Sequence, residues 1–392
     1  RFFSYEFRPP PILLFQKNEG MSEPRMTSSE DDADRSVSGL VLSTQVSLGR
    51  RDLIKGGIGL AMTEALGSEA RAAGPARKIA LEEHFTTPEL AKKFVARPTQ
   101  SDAVFADIER RLADFDELRL ETMDKAGIDL VVLSATTPGV QAEKEAKAAV
   151  RLAQDANDFL ARQVQQRPQR YAGFAALPTQ DAGAAATELE RAVKQLGFKG
   201  ALINGQTNGH YLDADMYLPF WERVQELDVP VYLHPGELAD HPAMFAGRPE
   251  LNGPVWAWTA DTAAHALRLV FAGTFTRFPK LKIILGHMGE TLPFLLWRLD
   301  SRRQLALGKE LAPDDLPSAI IRRHIAITTS GVCDPVPLAD ALAALGEDNV
   351  MFSVDYPYED SQVAADFIGS APIGETVRAK VCSGNAKRIL RL

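Results

Sequence analysis

From residue 78 onward the chain alternates between two hydrophobic rhythms. Short apolar runs, several of them β-branched, recur at 78–81, 130–133, 171–175, 200–203, 229–233, 282–285, 325–328 and 351–354. Runs this short, bounded by Gly, Pro or polar residues, predict strands buried on both faces. Between them lie longer stretches with apolar positions three or four apart, the helical period. Residues 105–126 carry Leu112, Phe115 and Leu118 on one face, and 143–166 spaces Leu152, Ala156, Leu160 and Val164 four apart. Further helices are expected over 182–196, 214–227, 262–272, 291–305, 335–345 and 376–390. Gly127, Gly197 and Gly346 stand where left-handed helix caps are expected.

Eight strand-then-helix units predict an α/β fold of the (β/α)8 TIM-barrel type. An open doubly wound sheet is the alternative, but no G-x-G-x-x-G follows a strand and no G-x-x-x-x-G-K-[ST] occurs. Residues 76–392 therefore read as one catalytic barrel domain. The excursion over 236–262 is expected to be a long loop across the barrel mouth. Its Phe245, Trp256 and Trp258 either line a substrate pocket or pack the loop down.

Residues 1–75 lack these rhythms. Residues 1–20 include Pro9-Pro10-Pro11 and do not start with Met, and Met21 and Met26 are candidate starts downstream. Residues 22–50 are rich in Ser, Asp and Glu and are expected to be disordered. Arg50-Arg51-Asp52-Leu53-Ile54-Lys55, a Gly- and Ala-rich stretch over 56–66 and the small-x-small Ala70-Arg71-Ala72 resemble a twin-arginine signal cleaved near Ala72. That resemblance implies a periplasmic protein; the alternative, an extension that happens to contain Arg-Arg, leaves it cytoplasmic. No run reaches the roughly 20 apolar residues of a membrane span.

Composition narrows the function. A hydrophobic content of 45% is ample for a large core. The net charge of −8 and pI near 5.5 argue against nucleic-acid or anionic-membrane partners. Cys333 and Cys382 are too few for a disulfide framework or a Cys-rich zinc site, and both are expected to be packed thiols.

The chemistry-bearing residues follow the apolar runs. In an extended segment Glu82 and His84 point the same way and Glu83 the opposite way, towards the helix layer. A parallel barrel brings its strand ends together. His234 after the fifth run and Asp355 after the eighth would therefore join Glu82 and His84 in a mononuclear site for one divalent ion, with Zn²⁺ the first expectation and Mn²⁺ the second. His287 ends the sixth run between Gly286 and Gly289. Glu290, read as the start of the next helix, would hold its second ring nitrogen as orienter of a catalytic base. Asn204, just past the fourth run, is placed for a substrate hydroxyl, and Arg298 for a substrate carboxylate. His265 is expected to be buried near the site or packed, and His210, His241 and His324 to lie in loops or on the surface.

These stretches together resemble the amidohydrolase superfamily, and within it the metal-dependent nonoxidative aromatic acid decarboxylases, such as those acting on γ-resorcylate, 2,3-dihydroxybenzoate and 5-carboxyvanillate. The matching segments are Lys78-Ile-Ala-Leu-Glu-Glu-His-Phe85, Tyr232-Leu-His-Pro235, Ile284-Leu-Gly-His-Met-Gly-Glu290, Ile327-Thr-Thr-Ser-Gly331 and Phe352-Ser-Val-Asp-Tyr-Pro357. The superfamily's hydrolases usually carry His-x-His after strand 1, whereas this chain has Glu82-x-His84. The resemblance implies metal ligands at Glu82, His84, His234 and Asp355, a supporting pair at His287 and Glu290, and a substrate-contacting arginine at Arg298. It also implies a homo-oligomer, dimer or tetramer. The implied reaction is decarboxylation of an ortho-hydroxylated aromatic acid, with Asp355 protonating the ring; hydrolysis of a lactone or amide is the alternative. Gly236 stands where several relatives carry an arginine, and Tyr356 where some carry Trp.

Overall fold

Alternate residues along the strands go to two different cores, and this makes the sheet close on itself. Ile79, Leu81, Val132, Phe174, Leu202, Tyr232, Ile284 and Met351 form one buried cluster, the barrel interior. Their neighbours Ala80, Val131, Leu133, Val231, Leu233, Ile283, Leu285 and Ile327 join a second cluster with the helices. Each large apolar side chain so buried contributes about 1.5–3 kcal/mol. The period of two that was hidden in uniformly apolar runs is thus a division between inside and outside.

The computed structural model describes residues 77–94, 100–240 and 242–392. The N-terminal extension with Arg50-Arg51 and Ala72, and His241, lie outside the described residues. Among the described residues there are eight strands: β1 (Lys78–Phe85), β2 (Ile128–Ala135), β3 (Tyr171–Gly173), β4 (Ala201–Asn204), β5 (Val231–His234), β6 (Ile283–Leu285), β7 (Ile325–Thr328) and β8 (Val350–Met351). All pair in parallel, in the orders β1-β2-β3 and β4-β5-β6-β7-β8. Single bridges join the two sets at Ala175–Ala201 and Glu83–Tyr356. The barrel is closed.

The strand expected over 351–354 is shorter in the ladder because its neighbours take its hydrogen bonds. Phe352 N–H donates to Val381 O at 2.8 Å, from a π-helical turn Lys380–Gly384 that interrupts the helix expected over 376–390. Val354 N–H instead reaches Glu83 Oε1 at 3.0 Å. Side chains thus complete the β1–β8 seam: Ser353 Oγ accepts Leu81 N–H at 3.0 Å and Glu82 N–H at 2.6 Å, and donates to Glu83 Oε1 at 3.1 Å.

The principal helices are α1 (Asp102–Ala113), α2 (Glu117–Ala126), α3 (Ala146–Gln166), α4 (Ala182–Lys194), α5 (Leu218–Leu227), α6 (Ala257–Phe271), α7 (Leu292–Leu307), α8 (Pro317–His324), α9 (Pro335–Leu345) and α10 (Ser361–Ser370). The single helix expected over 105–126 is two, because Asp114 accepts the N–H of Arg119 at 2.8 Å and Tyr171 OH donates to Phe115 O at 2.5 Å. Arg119, not Leu118, is the buried residue of that turn. Gly127 is a left-handed cap, whereas Gly346 has ψ 154 and α4 is capped by Gln195, ahead of Gly197. Residues 257–262, expected in the mouth loop, already belong to α6. No helix among the described residues is long and apolar enough to cross a membrane.

Candidate active site

Closing the barrel brings together residues far apart in the chain. One potential ligand atom each from Glu82, His84, His234 and Asp355 lies within 4.8 Å of the others. Glu82 and His84 come from the end of β1, and His234 is the last residue of β5. Asp355 follows β8 with φ 84, its N–H donating to Glu82 O at 3.0 Å. His84 N–H in turn donates to Tyr356 O at 2.8 Å. The same backbone bonds that close the barrel therefore set the Glu82–Asp355 distance.

Each of Glu82, His84 and His234 has one side fixed by the surrounding protein and the other turned towards the cluster. Glu82 is fully buried; its Oε2 accepts from Tyr232 OH and Ser330 Oγ, with Thr328 Oγ1 3.4 Å away. Its Oε1 has no hydrogen-bond partner and lies 3.3 Å from His234 Nε2 and 3.6 Å from His287 Nε2. His234 Nδ1 donates to Pro235 O at 2.8 Å, which leaves Nε2 towards the site. His84 Nδ1 meets Ser134 Oγ at 3.3 Å and its Nε2 lies 3.1 Å from Asp355 Oδ1.

Electrostatics set the protonation states. Burial works against a charged Glu82, but His287, His234 and His84 outweigh it and hold its carboxyl well below the usual range. Burial lowers the pKa of His84, favouring the neutral imidazole that a metal ligand requires. Burial raises the Tyr232 phenol, reinforced by the Glu82 charge, so it remains a donor. Two carboxylates and two imidazoles, one carboxylate oxygen buried and unpartnered, fit a divalent cation of the first transition row.

Beside this cluster the backbone takes an unusual course. His287, Met288, Gly289, Glu290 and Thr291 have φ 45, 55, 81, 53 and 66, one after another. A left-handed conformation costs a non-glycine residue roughly 1–2 kcal/mol. At Gly289 a side chain would also meet Ile327 Cγ2 at 2.9 Å. Glu290 therefore does not start the following helix, as the sequence suggested; it lies in this turn, two residues before α7. The turn aims both chemical side chains inward, so His287 Nδ1 donates to Glu290 Oε1 at 2.7 Å. His287 Nε2 then lies 3.5 Å from Asp355 Oδ2. Burial opposes a charged His287, but Glu82, Glu290 and Asp355 outweigh it and hold its pKa well above the usual value.

A cavity of about 500 Å³ opens over these groups, walled by Ile108, Trp258, Val332 and Tyr358, with His234, His287 and Asp355 at its floor. Of the mouth-loop aromatics, Trp258 lines it, Phe245 is buried and Trp256 is exposed. Asn204 lines an adjoining cavity instead, with Thr137 common to both. Arg298 is not brought to the site: it stands exposed on α7 beside Phe271 and Leu299. His265 is buried as packing, its Nε2 accepting Leu212 N–H at 3.0 Å. His324, expected at the surface, is buried against Phe275, with Nδ1 on Leu281 O at 2.9 Å. Cys382 is buried but Cys333 is exposed, because it follows the cavity rim at Gly331 and Val332.

Residues 84–392 match the family described as Amidohydrolase. The chain belongs to the amidohydrolase family. It is 42% identical over 323 residues to a gamma-resorcylate decarboxylase of Polaromonas sp., covering 80% of this chain and 98% of that one. A crystal structure of 2,6-dihydroxybenzoate decarboxylase complexed with 2,6-dihydroxybenzoate superposes with a TM-score of 0.75 at 40% identity, covering 81% and 99%. A dihydroxybenzoic acid decarboxylase from Polaromonas sp., with bound manganese and the inhibitor 2-nitroresorcinol, gives 0.74 at 42% identity, covering 81% and 97%.

Four contributors to this amidohydrolase site, Tyr232, Thr328, Ser330 and Arg119, carry no distinct chemical signal in the sequence. Tyr232 reads as one more apolar strand residue, and its period-two alignment with His234 is the only signal. Ser330 lies two residues beyond Thr328, again on one strand face. Arg119 is buried and donates to His84 O at 2.6 Å, stacking over the Tyr356 ring at 4.6 Å. Nothing in the spacing of α2 distinguishes it from a solvated arginine.

Proposed function

We propose that the protein decarboxylates an ortho-hydroxylated benzoate, releasing CO₂ and a phenol, with 2,6-dihydroxybenzoate the first substrate to test. The observation that carries this reading is the convergence of Glu82, His84, His234 and Asp355 within 4.8 Å at the floor of a cavity that His287 also lines. The similar decarboxylases named above support it. A divalent ion held by those four residues would serve as Lewis acid and as template for the substrate carboxylate and its neighbouring hydroxyl. Mn²⁺ is the ion to test first, since the similar Polaromonas structure holds it, and Zn²⁺ second.

The remaining chemistry belongs to the chain. Breaking the ring–carboxyl bond requires a proton on the ring carbon that bears the carboxylate. Asp355 faces the cavity and delivers that proton; the bond pair returns to the ring as CO₂ leaves, so one proton is consumed per turnover. His287, fixed through Nδ1 by Glu290, is the proton store that resupplies Asp355 across 3.5 Å. Trp258, Ile108 and Val332 give the ring an apolar wall.

The assembly is a homo-oligomer. Its support is the outer face of α7, where Phe294, Trp297 and Leu305 are exposed, an apolar area suited to a second copy. Light scattering on the purified protein tests this, and a monomer at micromolar concentration overturns it.

The decisive assay incubates metal-loaded protein with a panel of ortho-hydroxybenzoates and follows CO₂ and the phenol. Turnover of 2,6-dihydroxybenzoate to resorcinol supports the reading. No turnover on any member, alongside hydrolysis of a lactone, overturns it.

A further inference from the structure

Glu82 is the one candidate ligand whose two carboxylate oxygens live in opposite environments. Around Oε2 stand three hydroxyls from two strands and the loop beyond them: Tyr232 on β5, Thr328 on β7 and Ser330 just past β7. All three residues are fully buried. They also bond one another, Tyr232 OH to Thr328 Oγ1 at 2.8 Å and Thr328 Oγ1 to Ser330 Oγ at 3.0 Å. Ser330 Oγ accepts His287 N–H at 3.0 Å, so its own proton is free for Glu82. Gly286 closes the last side: a side chain there would come within 2.4 Å of Oε2.

Hydrogen counting makes the arrangement directional. A carboxylate oxygen offers about two lone pairs, and a hydroxyl has one proton to give. Tyr232 and Ser330 each give theirs to Oε2, saturating it. Thr328 then has its single proton for one of these two hydroxyls, and that hydroxyl's own proton stays on Glu82. Oε1 is left buried, unpartnered and facing His234 Nε2. An unpartnered buried carboxylate oxygen is costly by itself, and a cation is the partner that removes the cost.

We propose that Tyr232, Ser330 and Thr328 form a hydroxyl clamp that occupies one oxygen of Glu82 and makes it a one-oxygen metal ligand. The inference rests on the metal site under Proposed function and deepens it. The clamp holds the protein's contribution at one atom per ligand residue, so the ion's remaining positions stay open for the two oxygens of an ortho-hydroxybenzoate. It also ties ligand to proton store, because Ser330 holds both Glu82 Oε2 and the backbone N–H of His287. Outer hydrogen bonds of this kind are typically worth 10–100-fold in metal affinity.

The experiment titrates Mn²⁺ into metal-stripped wild-type protein and into Tyr232→Phe, Ser330→Ala, Thr328→Val and Ser330→Thr, reading affinity by calorimetry and free Mn²⁺ by electron paramagnetic resonance. Tyr232→Phe and Ser330→Ala should each weaken binding by about 10–100-fold. Thr328→Val, whose direct contact is the longest at 3.4 Å, should weaken it less. Ser330→Thr, which keeps the hydroxyl, should restore affinity to near wild type, an outcome a purely structural role for the site would not produce. Wild-type affinity in folded Tyr232→Phe and Ser330→Ala overturns the clamp. If Ser330→Ala does not fold, Tyr232→Phe alone decides in the same way. A wild-type chain that binds no Mn²⁺ or Zn²⁺ overturns the metal site itself, a distinguishable failure.

Discussion

His287 and Asp355 face each other across 3.5 Å, imidazole Nε2 to carboxylate Oδ2, one held cationic and the other anionic by their surroundings. In the proposed mechanism, proton traffic between them is the step most exposed to mutation. Asp355→Asn keeps the size and removes the carrier. Turnover should fall by about 100–10,000-fold while part of the metal is retained. Steady-state rates with metal analysis check this, and a wild-type rate removes Asp355 as proton donor.

Glu290 acts on that pair from behind. Glu290→Gln removes a negative charge 2.7 Å from His287 Nδ1 and lowers the imidazole pKa. A raised imidazole pKa keeps the cation beyond the ordinary histidine range, and activity is lost as pH rises through it. The alkaline limb of the kcat/KM profile should therefore move to lower pH in the variant. An unmoved limb assigns the proton store elsewhere.

His234 contributes Nε2 to the cluster and fixes its ring through Pro235 O. His234→Ala should leave the purified protein largely metal-free under conditions that load the wild type. Elemental analysis reads it directly, and full occupancy dismisses His234 as a ligand.

Glu83 makes a prediction about stability. Burial first, and Asp355 in addition, push its carboxyl from 4.5 up to about 8, against the hydrogen bonds from Val354 and Ser353. Between those values the folded chain keeps a proton that the unfolded chain has released. The contribution is thus fully present below about pH 4.5 and is lost as pH rises through about 8. Its slope is at most about 1.4 kcal/mol per pH unit. Urea denaturation of metal-free protein at pH 5, 7 and 9 should show wild type losing stability relative to Glu83→Gln across that window. Parallel curves would mean the proton is not held in the fold.

Metal removal gives the last test. An ion that binds the folded chain alone adds RT ln(1 + [L]/Kd), about 2.7 kcal/mol at a hundredfold excess over Kd. Chelation should lower the melting temperature, and Mn²⁺ should restore it. An unchanged melting temperature argues against a resident ion.

The barrel was legible because eight apolar runs at helical separations admit few topologies, and the ligand candidates because each ends such a run. What stayed hidden has local causes. The break before α2 depends on Asp114 capturing the N–H of Arg119, a contact that hydrophobic spacing does not encode. The left-handed turn over 287–291 puts four non-glycine residues where local preference disfavours them; Gly286 and Gly289 flagged a sharp turn but not its hand. Arg298 has the expected place in the helix after Glu290, but the packing of Leu292 and Leu296 turns its helix face outward.

The seam between β1 and the end of β8 joins distant residues: His84 Nε2 meets Asp355 Oδ1, 271 positions away, and Glu82 O receives Asp355 N–H. Contacts of such separation are slow to form, because loop-closure entropy must be overcome before they repay it. A nascent chain that has emerged only through β7 carries Glu82, His84 and His234 but has neither the fourth donor nor the strand that pins β1 from its open side. On the proposed metal site the full donor set exists only once the circle is shut, and an ion held there would act as a chemical latch on that closure.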